Sequence, residues 1–189
     1  MSTATAEQIK PLINGIDTEQ VVDLASRVSQ DKDYGKFKFR ATNAWIDGSR
    51  SRTSIQDFYA GGKEDTSRSQ ALTVDADQPL FLAGKNTAPN AVEHLLHSLT
   101  SCLNVTLVYH AAVQGIPLEK IKLSAEGEMN ARGFFGISDT VNKGYERIRV
   151  NMQVKSEADV ETLTALAMHS PVYEMISRAV PVEFSMTKI

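Results

Sequence analysis

One long stretch, Pro89–Pro117, carries a start signal, a stop signal and an apolar stripe between them, and the rest of the chain has to pack around it. Asn90 followed three residues later by Glu93 reads as a capping box with asparagine in the cap position. Val92, Leu95, Leu96, Leu99, Cys102, Leu103, Thr106 and Val113 recur at helical spacing and mark its inner face, and Gly115 followed by Pro117 ends it. The spacing predicts a central helix of about six turns, apolar enough to be buried.

Other segments arrange themselves around this helix. Residues 17–29 place Val21, Leu24, Ala25 and Val28 on one stripe and predict an amphipathic first helix, capped by Asp17 or Thr18. From Lys36 the period shifts towards two. Phe37, Phe39, Ala41 and Asn43 alternate with polar neighbours as far as Trp45, Asp47-Gly48 reads as a hairpin turn, and Gly61-Gly62 turns the chain again before a strand over 69–75. An antiparallel meander is expected. Beyond the central helix, strands are predicted over 121–127 and 147–155, the latter with Ile148, Val150, Met152 and Val154 inward, and a loop over 132–136 between them. Helices over 158–168 and 171–177 and a closing strand over 180–186 complete an α+β chain.

At 189 residues the chain has room for one good core with an appendage. A composition of 42% hydrophobic and 23% charged residues with a net charge of -3 implies no polyanion partner, so no nucleic acid is expected. No apolar run approaches bilayer length, and the first residues, Met1-Ser-Thr-Ala-Thr-Ala-Glu-Gln8, lack the basic and apolar regions of a secretory leader. These readings exclude a membrane partner and predict a cytoplasmic protein.

Cys102 is the only cysteine. A single thiol makes no disulfide within its own chain, so Cys102 is either a small packed apolar group or a reactive centre whose partner is not sulfur. A metal site drawn from His94, His97, Cys102 and His169 matches no compact zinc spacing, and none is expected. Trp45, Phe58, Phe134, Phe135 and Tyr173 are read either as plain core or as the lining of an apolar pocket.

The long helix with Pro89, Glu93, Leu95-Leu96 and Cys102, followed by strand, Arg-Gly loop, strand, helix, His169-Ser170-Pro171-Val172 and Val180-Pro181-Val182, resembles the OsmC/Ohr family of thiol peroxidases. The likeness runs from about Lys36 to the end, which sets residues 36–189 as an OsmC-like domain and 1–35 as an N-terminal helical extension. The resemblance implies antiparallel sheets around a buried central helix, in an intertwined homodimer with active sites at the subunit interface. It also implies thiol-dependent reduction of organic hydroperoxides, with Cys102 at the attacking position, no cofactor, and an external thiol as reductant.

One departure bears on that chemistry. The second cysteine of the family pattern is here His169, so the chain lacks a resolving thiol. His169 is either the imidazole that shares a proton with Cys102 or a space-filling residue. Arg50 and Arg52 follow the early turn, where the Ohr branch carries an essential arginine. Arg50 is the candidate, against the alternative of a solvated strand charge. Glu93 resembles the carboxylate that orients this arginine, but nine residues at about 100° each put it on the opposite side of the helix from Cys102, roughly 13 Å along it. It acts indirectly or serves only as a cap. The competing functional reading is a non-catalytic dimer that binds a small apolar ligand at the subunit interface.

Overall fold

The computed structural model describes Leu12–Ile189; the first eleven residues, including the segment read above for leader features and the start of the proposed extension, lie outside the described residues. The chain divides into two compact units, one formed by residues up to Val22 with Ser98–Ile189, the other by Asp23–His97. Helix α1 is Thr18–Gln30 and α2 is Ala91–Val113, within two residues of their expected limits.

In the unit Asp23–His97, β1 (Thr42–Asp47), β2 (Arg50–Ile55) and β5 (Leu72–Ala76) form an antiparallel sheet in the order β1-β2-β5. The expected Asp47-Gly48 hairpin is present, with Gly48 at φ 52° in the left-handed region that a tight primed turn requires. The simple meander is not. A separate hairpin of β3 (Phe58–Ala60) and β4 (Lys63–Asp65), turning at Gly61-Gly62, is inserted, and β2 pairs with β5 instead. Of the alternation predicted from Lys36 to Trp45, the part from Thr42 is strand β1, and the part before it holds a single bridge between Lys38 and Tyr59. Phe37 stacks on Phe39, and Phe39 packs against Phe58, so the alternation there serves an aromatic cluster rather than a ladder.

In the other unit, β6 (Lys120–Met129), β7 (Tyr145–Lys155) and β8 (Val182–Lys188) lie in the order β6-β7-β8. β6 and β7 are antiparallel. β8 runs parallel to β7, because the chain crosses back through α4 (Val160–Ala167) and α5 (Pro171–Ser177) before it pairs. Ile148, Val150, Met152 and Val154 all face inward and are buried, as their period-two spacing predicts. Leu99, Leu103, Leu107 and Ala111 of α2, Leu163, Leu166 and Ala167 of α4, and Ile176 of α5 supply the rest of this core. The expected loop over 132–136 is one helical turn, α3 (Ala131–Phe134), begun by Asn130, whose side chain accepts from Arg132 N.

Both ends of α2 are closed by the residues that announced them. Asn90 N donates to Glu93 Oε2 at 2.8 Å and Glu93 N donates to Asn90 Oδ1 at 2.9 Å, a reciprocal capping box. At the other end Gly115 takes φ 71°, Gly115 N reaches Ala112 O and Ile116 N reaches Ala111 O, the two bonds of a Schellman motif. The inner face differs in part from expectation. Leu95 and Val113 are exposed, while Leu107, absent from the predicted stripe, is fully buried.

Candidate functional site

Cys102 lies in the middle of α2 and is half-buried. Its position on the helix explains why. On one side Leu99, Leu103 and Thr106 are buried, and on the other Val105, Tyr109 and Val113 form an exposed apolar stripe. At about 100° per residue, Tyr109 and Val113 lie within roughly 20° of Cys102 around the axis. The thiol therefore sits on the border between its own core and an exposed apolar surface. Among the described residues its sulfur makes no hydrogen bond.

His169 follows α4, immediately before the cap of α5, where Ser170 Oγ accepts from Tyr173 N at 3.2 Å. Its ring stacks on that of His110, with centroids 4.6 Å apart and planes 17° from parallel. His110 is eight residues beyond Cys102, about 12 Å further along the helix axis. The partner the structure gives His169 is thus an imidazole that sequence reasoning did not single out. Burial pushes the His110 pKa below its ordinary value, and the neighbouring His169 adds to the effect.

Arg50 and Glu93 belong to the unit Asp23–His97. Arg50 opens β2, and its Nη1 donates to Asp47 Oδ1 at 3.2 Å. Lys85 takes the other oxygen of Asp47, so that carboxylate is shared between two cations and its pKa falls below the usual range, with Lys85 the larger cause. Arg52 differs. Its Nε and Nη2 donate to the two oxygens of Asp75 at 2.6 and 2.8 Å, a bidentate pair between residues facing each other in the β2–β5 register. Of the two arginines, Arg50 is the less exposed and is engaged through one nitrogen. Glu93 is occupied by the capping box, and the Nε2 of His94 beside it lies 2.9 Å from Asp75 O.

The aromatics weighed as a pocket lining fall in both units: in the unit Asp23–His97, Trp45 is exposed and Phe58 packs against Phe39. Phe134 and Phe135 are exposed and pack edge to face on each other, and Tyr173 meets Phe184. A groove of about 500 Å³ on the face of β6-β7-β8 is lined instead by Ser124, Glu126, Arg149, Asn151, Glu183 and Ser185 together with Ala125, Val150 and Phe184. There Arg149 is clamped between Glu126, Glu128 and Glu183. No group of three or more potential metal ligands occurs among the described residues.

A helix with a half-exposed thiol at its centre, a β6-β7-β8 sheet with a parallel closing strand, and a separate β1-β2-β5 sheet define an α+β thiol-bearing protein. Residues 84–185 match the profile of the OsmC-like protein family, and the chain belongs to that family. The fold is similar to that of an OsmC-like protein from Mycoplasma pneumoniae, with a TM-score of 0.58 at 14% identity over 80% of this chain and 97% of that one. It is also similar to an organic hydroperoxide resistance protein OsmC from Legionella pneumophila, with a TM-score of 0.57 at 20% identity over 79% and 96% of the two chains. An OsmC-like protein of unknown function from Vibrio cholerae gives 0.55 at 13% over 80% and 99%. No curated protein sequence matches the chain.

Proposed function

We propose that this OsmC-family chain reduces organic hydroperoxides, with Cys102 as the attacking thiolate. The observation that carries this reading is the place of the lone thiol: within the family-matched segment, half-exposed beside an apolar surface that suits an alkyl peroxide. The sulfur attacks one peroxide oxygen, the O–O bond breaks, and an S–O bond forms. Sulfur is oxidised by two electrons to the sulfenic acid, and the departing alkoxide takes a proton to leave as the alcohol. With no second cysteine in the chain, an external thiol then condenses with the sulfenic acid to release water, and a second thiol frees Cys102 as the mixed disulfide is reduced.

Arg50 is the proposed cation for the thiolate and the peroxide oxygens, His169 the proposed imidazole acting with its stacking partner His110, and Glu93 an indirect contributor through the arginine or across a dimer. No cofactor is required. The functional unit is a homodimer, with residues 36–189 as its domain and 1–35 as a helical extension. The setting is the cytoplasm, where thiols are kept reduced. Among the described residues no helix is long and apolar enough to cross a membrane.

A second reading, a non-catalytic dimer that holds a small apolar ligand, draws on two observations: the Cys102 sulfur makes no hydrogen bond among the described residues, and His169 is engaged with His110. One experiment separates the two. Wild-type protein treated with cumene hydroperoxide at neutral pH is expected to form a dimedone-trappable adduct at Cys102, absent in Cys102→Ser. An unlabelled wild-type thiol would leave only the ligand-binding reading.

A further inference from the structure

Asp77 is the most enclosed charged side chain of the unit Asp23–His97, with 1% of its surface exposed. Its two oxygens take donors from three directions. Oδ1 accepts from Ser49 Oγ at 2.6 Å and Gln78 N at 2.8 Å, and Oδ2 accepts from Thr87 N at 3.0 Å and Thr87 Oγ1 at 2.8 Å. A longer bond of 3.4 Å comes from Lys85 N to Oδ1. With so many donors on the ionised form, the Asp77 pKa is held well below the ordinary carboxylate range, the Ser49 hydroxyl being the largest cause.

The place of these donors matters more than their number. The backbone ladder between β2 and β5 ends at Ser51↔Ala76. Asp77 is the next residue after that pair, and its side chain continues the pairing to Ser49, on the other side of Arg50. The loop that Asp77 closes, residues 77–90, grips the same hairpin tip a second time, because Lys85 holds Asp47 and Asp47 holds Arg50. Arg50 is therefore bracketed between Ser49 and Asp47, each tied to the 77–87 segment.

That loop is tightly determined. Ala83 and Asn86 take left-handed φ values of 61° and 55° without being glycine, which the surrounding structure must impose. Gly84 passes so close to Gln78 that an added Cβ would stand 1.9 Å from the Gln78 carbonyl oxygen. The far end of the loop is fixed as well, since Asp77 N donates to Pro89 O at 3.4 Å, one residue before the Asn90 cap that bonds Glu93.

We infer that Asp77 is a positioning residue, which sets the Arg50 guanidinium through Ser49 and the Lys85–Asp47 pair and registers the same loop to the Asn90–Glu93 start of α2. The inference deepens the proposed function and rests on Arg50 as the peroxide-facing cation. Asp77 touches no substrate in this scheme. It replaces the freedom of a hairpin tip with one fixed place for a cation, and a misplacement of about 1 Å is enough to cost up to about 100-fold in rate.

The test uses the full chain and measures the rate constant for Cys102 oxidation by cumene hydroperoxide in wild type, Ser49→Ala, Asp77→Asn, Arg50→Ala and the double variant Ser49→Ala/Arg50→Ala. Ser49→Ala is expected to slow oxidation about tenfold, and to slow it no further once Arg50 is gone. A merely structural bond would give effects that multiply. Rates unchanged by Ser49→Ala, or multiplicative in the double variant, overturn the inference even where Asp77→Asn fails to fold. The Arg50 Nε–H resonance, assigned by its loss in Arg50→Lys, provides a readout without peroxide and is expected to shift in Ser49→Ala. Should wild-type Cys102 prove inert to peroxide, the proposed function falls, and a shifted or unshifted resonance still decides whether Asp77 and Ser49 place the arginine.

Discussion

His110 sits under two opposed influences. Near the C-terminal end of α2 the helix dipole favours an imidazolium, whereas partial desolvation of a ring that is otherwise exposed, against a second imidazole, favours the neutral form. The second influence wins, and the His110 pKa is lowered from 6.5. The sign for stability follows. A base whose folded pKa is depressed contributes stability that is present above the unfolded value and lost as pH falls through the folded one. Thermal midpoints of the wild type are therefore expected to decline as pH drops below 6.5. His110→Phe keeps a flat ring for His169 to stack on but does not titrate. Its midpoint is expected to fall less over the same interval, and parallel pH curves for the two proteins would show that the stack carries no such linkage. His110 was not legible in the sequence because its significance is a contact with a residue 59 positions away, and no local pattern announces such a pair. Asp77 escaped for the same reason, with Ser49 28 residues before it.

Elements whose signals are local were legible. Helix α2 begins and ends where Asn90-Glu93 and Gly115-Pro117 place it, because capping and left-handed termination are decided within four residues. Strand β7 was legible from alternation alone. The direction of β8 was not, since a period of two says which face a residue takes and nothing about its neighbour strand. The capping box also allows the two roles of Glu93 to be separated. Glutamine serves at the third helical position as well as glutamate, whereas alanine abandons the bond to Asn90 N. Glu93→Ala is expected to lower stability by about 1 kcal/mol, and Glu93→Gln to restore most of it. If the carboxylate also orients a cation, Glu93→Gln regains its melting temperature but leaves Cys102 oxidation slow. Full recovery of both in Glu93→Gln would confine Glu93 to capping.

For the molecule as a whole, the informative error in the sequence reading is the face of α2. The stripe predicted to point inward is divided: Leu99 and Leu103 are buried in their own chain, while Leu95 and Val113 are exposed, as are Val105 and Tyr109 beside them. Helical spacing records that a surface is apolar, but it does not say whether the covering group belongs to the same chain. The proposed homodimer assigns that surface to a second copy, and Val105→Glu tests it directly. Val105 lies outside the chain's own core, so a glutamate there leaves the fold intact, with an unchanged helical spectrum. Across a subunit seam the same carboxylate would be buried without a partner, at a cost of several kcal/mol. Wild type is expected to sediment as a dimer and Val105→Glu as a monomer. A monomeric wild type, or a variant that stays dimeric, removes α2 from the seam. Reactivity then locates the chemistry. If the peroxide site needs both copies, the monomeric variant loses Cys102 oxidation although its own thiol is untouched; if the rate survives dissociation, one chain supplies every group the reaction uses.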